Sequence, residues 1–234
     1  MSKKDIVKVA LLVILAVVSS FLIYKNVGED EKTINITDDE KKFKEEYESL
    51  NSKKDSRGRD YIKVSIDEDN GMVYATYDEL HKLLTEGTGV IYFGYPECPW
   101  CRNAVPMLLQ AASNKGLDNI YYFNAKEIRD VKLLDEDGNI VTEKEGTKEY
   151  YELLNILGDH LGEYEGLNDD SIKRLYFPTV VFVRDGKVVG SHINTLESQI
   201  DPRVPLTEKQ KEDLVNIYMD GIGKVLKDVC DDKC

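Results

Sequence analysis

The sequence predicts an α/β layer fold built on a mixed or parallel central sheet, and three observations carry that expectation. Between residues 61 and 123, apolar runs with strand character alternate with two helical segments in the order strand, helix, strand, helix, strand. Such an order calls for right-handed crossovers over one sheet. The run "GVIYFGY", residues 89–95, is apolar throughout, as a strand buried on both faces would be. Finally, "FPTVVFVRDGKVVGSHI", residues 177–193, reads as a hairpin turning at Asp185-Gly186.

Taken in order, "YIKVSI" (61–66) alternates as a strand would, and "EDNG" after it is turn chemistry. "TYDELHKLLTEG" (76–87) is a capped helix, with Thr76 as N-cap, Glu79 three residues on and Gly87 at its end. "CRNAVPMLLQAASNKG" (101–116) places Ala104, Met107, Leu108 and Ala111 on one helical face, with Pro106 inside the helix and Gly116 closing it. "NIYYFNA" (119–125) is the next strand. Residues 126–176 form a long acidic insertion, in which "VKLLDEDGNIVT" suggests a hairpin at Asp137-Gly138. Tyr151, Leu154, Leu157 and Leu161 follow at helical spacing. A calcium loop at Asp135, Asp137 and Asn139 fails, because Ile140 and Gly146 occupy the positions that need glycine and glutamate. Thr207 and Gln210 form a capping box for a last helix with an apolar face of Leu214, Ile217, Tyr218, Ile222, Val225 and Val229.

At 234 residues and 41% hydrophobic content, the chain is long enough for one main domain with accessory segments. Its net charge of −13 excludes non-specific nucleic-acid binding, because a phosphate backbone would be repelled. Val9 to Tyr24 is apolar apart from two serines, so residues 1–28 are expected to form a transmembrane anchor. A cleaved signal is the competing reading, but Phe21-Leu22-Ile23-Tyr24 continues the apolar run past the small-residue site at Val18 and Ser20. A lipoprotein is excluded, since no cysteine precedes Cys98. Lys3, Lys4 and Lys8 precede the span and acidic residues follow it, which places the N-terminus in the cytoplasm and the rest outside it. Residues 29–60 are charged and poor in large apolar groups, with a short surface helix suggested by Phe43, Tyr47 and Leu50. A solvated linker is the expectation there, leaving residues 61–234 as the folded domain.

The four cysteines fall in two close pairs, a redox or metal pattern rather than a disulfide-braced scaffold. Zinc needs four ligands, and Cys98 and Cys101 supply two; Cys230, Cys234, His81, His160 and His192 offer no recognisable spacing for the remainder. Neither a metal nor a cofactor is expected. With Cys98 just before a helix and Cys101 in its first turn, free amide hydrogens and the helix dipole favour a thiolate on Cys98. Cys101 is then close enough to resolve a mixed disulfide. Pro99 suits the first helical position. Glu97 opposes the thiolate and Arg102 favours it, while Trp100 offers an apolar surface for a peptide substrate. The histidines read as surface or packing residues. Cys230 and Cys234, four apart, can be a second redox pair or an inert tail disulfide.

This strand, Cys-Pro-Trp-Cys, helix, strand and later Pro-Thr hairpin resembles the thioredoxin superfamily over roughly residues 60–228. The resemblance implies a thioredoxin-like fold, a mixed central sheet flanked by helices, with thiol-disulfide chemistry at Cys98 and Cys101. It implies that Pro178 is cis and packs opposite the cysteines, and that Phe177 and Pro178 help to hold the substrate backbone. Tyr92 stands where thioredoxin reductants usually carry a buried aspartate, and Pro99-Trp100 is neither the Gly-Pro of reductants nor the Pro-His of strong oxidants. With the anchor, "FGYPECPWC" looks most like the bacteriocin transport accessory proteins of Gram-positive bacteria. The implied partners are a thiol- or disulfide-containing protein or peptide, a redox partner protein and the membrane. From another class, a redox-inactive binding module docked on an exporter is the rival expectation.

Overall fold

The computed structural model describes residues 36–226; the expected anchor, residues 29–35 and the tail cysteines lie outside them. The elements are α1 (Asp38–Glu48), β1 (Met72–Tyr74), α2 (Tyr77–Glu86), β2 (Gly89–Phe93), α3 (Pro99–Lys115), β3 (Ile120–Phe123), β4 (Val131–Leu134), β5 (Ile140–Lys144), α4 (Lys148–Leu157), β6 (Gly162–Glu163), β7 (Lys173–Arg174), β8 (Thr179–Arg184), β9 (Lys187–Ile193) and α5 (Glu208–Leu226). Among the described residues no helix is long and apolar enough to cross a membrane.

The central sheet has the order β1-β3-β2-β8-β9. β3 runs parallel to both β1 and β2, whereas β8 is antiparallel to β2 and β9 to β8. Successive right-handed crossovers in opposite directions put α2 and α3 on opposite faces. α4 joins α2 on one face, and α5 lies with α3 on the other, across β8 and β9. β2 is buried at every position, as its unbroken apolar run requires. Asp185 and Gly186, both at positive φ, make the turn of the β8–β9 hairpin. Gly221 is where α5 approaches β8 most closely: a Cβ there would stand 2.2 Å from the Phe182 ring.

Two boundaries differ from the sequence expectation. The segment expected as a solvated linker is folded from residue 36 onward. α1 carries a complete Thr37/Glu40 capping box, and Phe43 and Tyr47 are wholly buried in the core. Glu40 also accepts from Gly71 N at 2.9 Å and Asp39 from Tyr74 N at 2.9 Å, which fastens the helix to β1. "YIKVSI" is not a strand, although Val64 and Ile66 are buried in alternation. Its backbone partners are side chains. Val64 N donates to Asn51 Oδ1 and its carbonyl accepts from Asn51 Nδ2; Ile66 N donates to Glu48 and its carbonyl accepts from Lys44. Those bonds satisfy the groups a neighbouring strand would otherwise pair.

The 126–176 insertion contains the expected hairpin (β4 and β5), but also α4, the crossover that returns the chain to β8. What is added to the sheet-and-helix frame is therefore two hairpins, β4–β5 and β6–β7. The buried face of α4 is Tyr150, Leu153 and Leu157. Of the expected residues, Leu157 and Leu161 are buried and Leu154 packs partly buried against the core, whereas Tyr151 is exposed and Tyr150 takes its place inside.

Candidate functional site

The site forms where β2 runs into α3. Cys98 is the N-cap of α3, and its Sγ accepts the Cys101 N–H at 3.2 Å, taking one of the amide donors that a helix start leaves unpaired. Pro99 follows at the first helical position, and Pro106 lies inside the helix. Both cysteines are free thiols and buried, Cys101 completely. The Phe177-Pro178 bond is cis, and the Cys98 thiol points its hydrogen at the Phe177 carbonyl, 3.6 Å away. Cys98, Cys101, Phe177 and Pro178 are thus brought together. Trp100, half-buried, lines an open cleft with Asn194, Leu196 and Gln199.

The two thiols are unequal. Burial acts to raise the Cys98 pKa, yet hydrogen bonds from the Cys101 side chain and from the Cys101 and Trp100 amides, with the charge of Arg129, bring it below the ordinary thiol value. Cys101 is driven well above it by burial, by its bond to Cys98 and by the charge there; the Tyr95 amide and the Tyr92 hydroxyl pull it back in part. The arrangement therefore favours ionisation of Cys98 and holds the proton on Cys101, as stepwise exchange requires.

Arg102 is not the cation that assists Cys98. It is 1% exposed, and its guanidinium is spent on the Ile62, Tyr47 and Pro96 carbonyls and on Asn51 Oδ1. It ties the segment after α1 to the active-site loop. The assisting cation is Arg129, 31 residues past Cys98 in the insertion, whose guanidinium carbon lies 4.6 Å from the Phe177 ring centre. Local sequence carries no signal for it.

Beneath Cys101, Tyr92 and Tyr47 share a hydrogen bond of 2.8 Å between their hydroxyls, both side chains fully buried. Burial first, and then the nearness of Cys101, keep both phenols protonated. Tyr92 was legible as the occupant of this strand position; its partner on α1 was not.

Asn103 binds the loop before α5, donating to the Pro202 carbonyl at 2.8 Å and accepting from Leu206 N at 3.3 Å. Gly223, near the end of α5, lies by Lys115 at the end of α3. The two helices thus run in the same direction, and α5 ends at the pole away from Cys98.

No protein-family model matches the sequence, and no curated protein matches it. Among solved structures, the chain is similar to the J-Trx1 fragment of ERdj5, at 15% identity over 66% of this chain and 53% of that one, TM-score 0.34. It is similar to thioredoxin O2 from Arabidopsis thaliana in the oxidised state, at 14% identity over 66% and 99%, TM-score 0.34. Thioredoxin 2 from Pseudomonas aeruginosa PAO1 in its reduced form shares 19% identity over 67% and 99%, TM-score 0.28. The chain spans about half the length of the ERdj5 fragment. None of the three bears on a likeness to bacteriocin transport accessory proteins or on a membrane anchor. By its own strand order, with a Cys-x-x-Cys pair at the head of α3 facing a cis proline, the chain has a thioredoxin-like fold.

Proposed function

We propose that the protein is a thiol-disulfide oxidoreductase that acts on exported proteins or peptides from the outer face of the cytoplasmic membrane. The observation that carries the chemistry is the pairing of a hydrogen-bonded, pKa-depressed Cys98 with a buried, protonated Cys101 behind it. The Cys98 thiolate attacks one sulfur of a substrate disulfide, forming a mixed disulfide and releasing the other substrate sulfur as a thiolate, which takes up a proton. Cys101 then loses its proton and attacks Cys98, releasing the second substrate thiol and leaving a Cys98–Cys101 disulfide. Two electrons pass from the dithiol to the substrate; the reverse sequence oxidises a substrate dithiol. Phe177, Pro178 and Trp100 frame the approach to Cys98 and are the residues proposed to hold the substrate backbone. The export side follows from the apolar segment and lysines at the N-terminus, and peptide substrates from the narrower resemblance of "FGYPECPWC" to bacteriocin transport accessory proteins. A redox partner restores the pair.

Cys101→Ser removes the resolving thiol, so incubation with an oxidised peptide should leave a covalent adduct on Cys98, seen by mass spectrometry and released by reductant. Absence of that adduct while Cys98 remains alkylatable sinks the proposal. The reduction potential sets the direction: near about −270 mV the protein works as a reductant, near about −120 mV as an oxidant.

A further inference from the structure

Three cations of the insertion stand around the cis-proline loop, and among the described residues none is within ion-pair distance of a carboxylate. Arg129 stacks on Phe177 and donates to the Leu175 carbonyl at 3.1 Å. Arg174, on β7, lies 4.3 Å from the Tyr164 ring centre and 5.8 Å from that of Tyr176, and its Nε is buried with no hydrogen-bond partner. Lys126 sits 4.9 Å from the Tyr95 ring centre, and Tyr95 in turn packs edge-on against Phe177 at 5.4 Å. Among the described residues none of the three forms an ion pair; the buried carboxylate of Asp130 faces Lys132 instead, at 3.7 Å. Glu97, Glu127 and Glu165, on neighbouring loops, and Glu163, on β6, are exposed. In a chain with 44 acidic against 31 basic residues, unpaired cations held together oppose the average charge.

Arg129 and Arg174 are near enough to repel each other, and each guanidinium carbon lies over an aromatic ring. Apart from Arg129 Nη1, which is bonded to Leu175, and the buried Arg174 Nε, the guanidinium nitrogens make no hydrogen bond among the described residues and can donate to a carboxylate. Phe177, which carries Arg129 on its ring, also presents its carbonyl to Cys98. A peptide whose sulfur reaches Cys98 would thus lay its neighbouring residues against this cationic rim.

We infer that Arg129, Arg174 and Lys126 form a specificity rim selecting peptides whose reactive cysteine is flanked by acidic residues. The inference rests on the exchange reading above and specifies its substrate class. A carboxylate entering the rim relieves the repulsion between the two guanidiniums and pairs with the outer nitrogens of Arg174 rather than with its buried Nε. Attraction of this kind acts chiefly on the association rate and weakens with salt.

The test uses the full-length protein and three disulfide peptides alike except for the two residues on each side of the cysteine: Asp, Asn or Lys. The expected order of kcat/KM is Asp, Asn, Lys, with a five- to tenfold gap between Asp and Asn at low ionic strength that shrinks at high ionic strength. R174Q and, separately, K126Q should each cut the Asp-to-Asn ratio at least twofold; a purely structural role for these residues would scale all three peptides alike and leave the ratio unmoved. Equal rates for the three peptides, a salt-independent ratio, or an unmoved ratio in both variants overturns the inference and leaves the exchange reading standing. If no peptide reacts, the exchange reading falls and the inference with it.

Discussion

Phe43→Ala tests whether α1 belongs to the domain or merely precedes it. The Phe43 ring is fully buried, 4.6 Å from the Tyr47 ring centre, and meets Tyr122 edge-on at 5.1 Å and Tyr92 edge-on at 6.4 Å. Truncation there removes a ring from a packed aromatic cluster, and the surrounding residues are held by the sheet and cannot close in. The expected loss is about 3–5 kcal/mol, the range for large aromatic truncations in cores. For a domain whose whole stability is of order 5–15 kcal/mol, that is a large share. Urea denaturation followed by the fluorescence of Trp100, the one tryptophan of the chain, would show the midpoint falling with the slope unchanged. Lys41→Ala, on the exposed side of the same helix, should stay within about 0.5 kcal/mol of the parent. If Phe43→Ala also shifts stability by less than about 1 kcal/mol, α1 contributes no core.

Three further outcomes follow from the site and its support. Cys98 should react with iodoacetamide at a pH where a free cysteine does not, and Arg129→Gln, by removing a positive charge, should move the midpoint of that pH profile upward; an unmoved midpoint contradicts the role given to Arg129. Because the folded-state pKa of Cys98 is depressed, its contribution to the stability of the reduced form is present above the unfolded thiol value and is lost as pH falls through the folded value. Tyr92→Phe strands the buried Tyr47 hydroxyl, at a cost of about 1–3 kcal/mol. It also removes the bond that tempers the rise of the Cys101 pKa, so mixed disulfides should persist longer in single-turnover experiments. Gly221→Ala forces a Cβ into the Phe182 ring and should cost about 1–3 kcal/mol in chemical denaturation.

Much of the fold was written in local chemistry. The Thr76/Glu79 and Thr207/Gln210 capping boxes, the Asp185-Gly186 turn and the unbroken apolar run of β2 each act within a few residues, so their sequence pattern is their cause. The elements that were missed are held by distant partners. α1 shows only Phe43 and Tyr47 as large apolar groups, and its docking depends on carboxylates reaching backbone amides of β1. "YIKVSI" has a strand's alternation, but the side chains of Asn51, Glu48 and Lys44 take the place of a neighbouring strand. At the site, Cys98, Cys101 and Pro178 were marked by spacing and by a known resemblance. Arg129 was invisible because its bearing on Cys98 exists only once the insertion folds back over Phe177.

The shared direction of α3 and α5 separates the two ends of the helical layer. α3, with 17 residues, is about 25 Å long. α5 starts beside the head of α3, where Asn103 holds the loop from Pro202 to Leu206, and ends beside Lys115, at the pole away from Cys98. A change confined to that far pole therefore lies about 25 Å from the reacting sulfur and should leave its chemistry untouched.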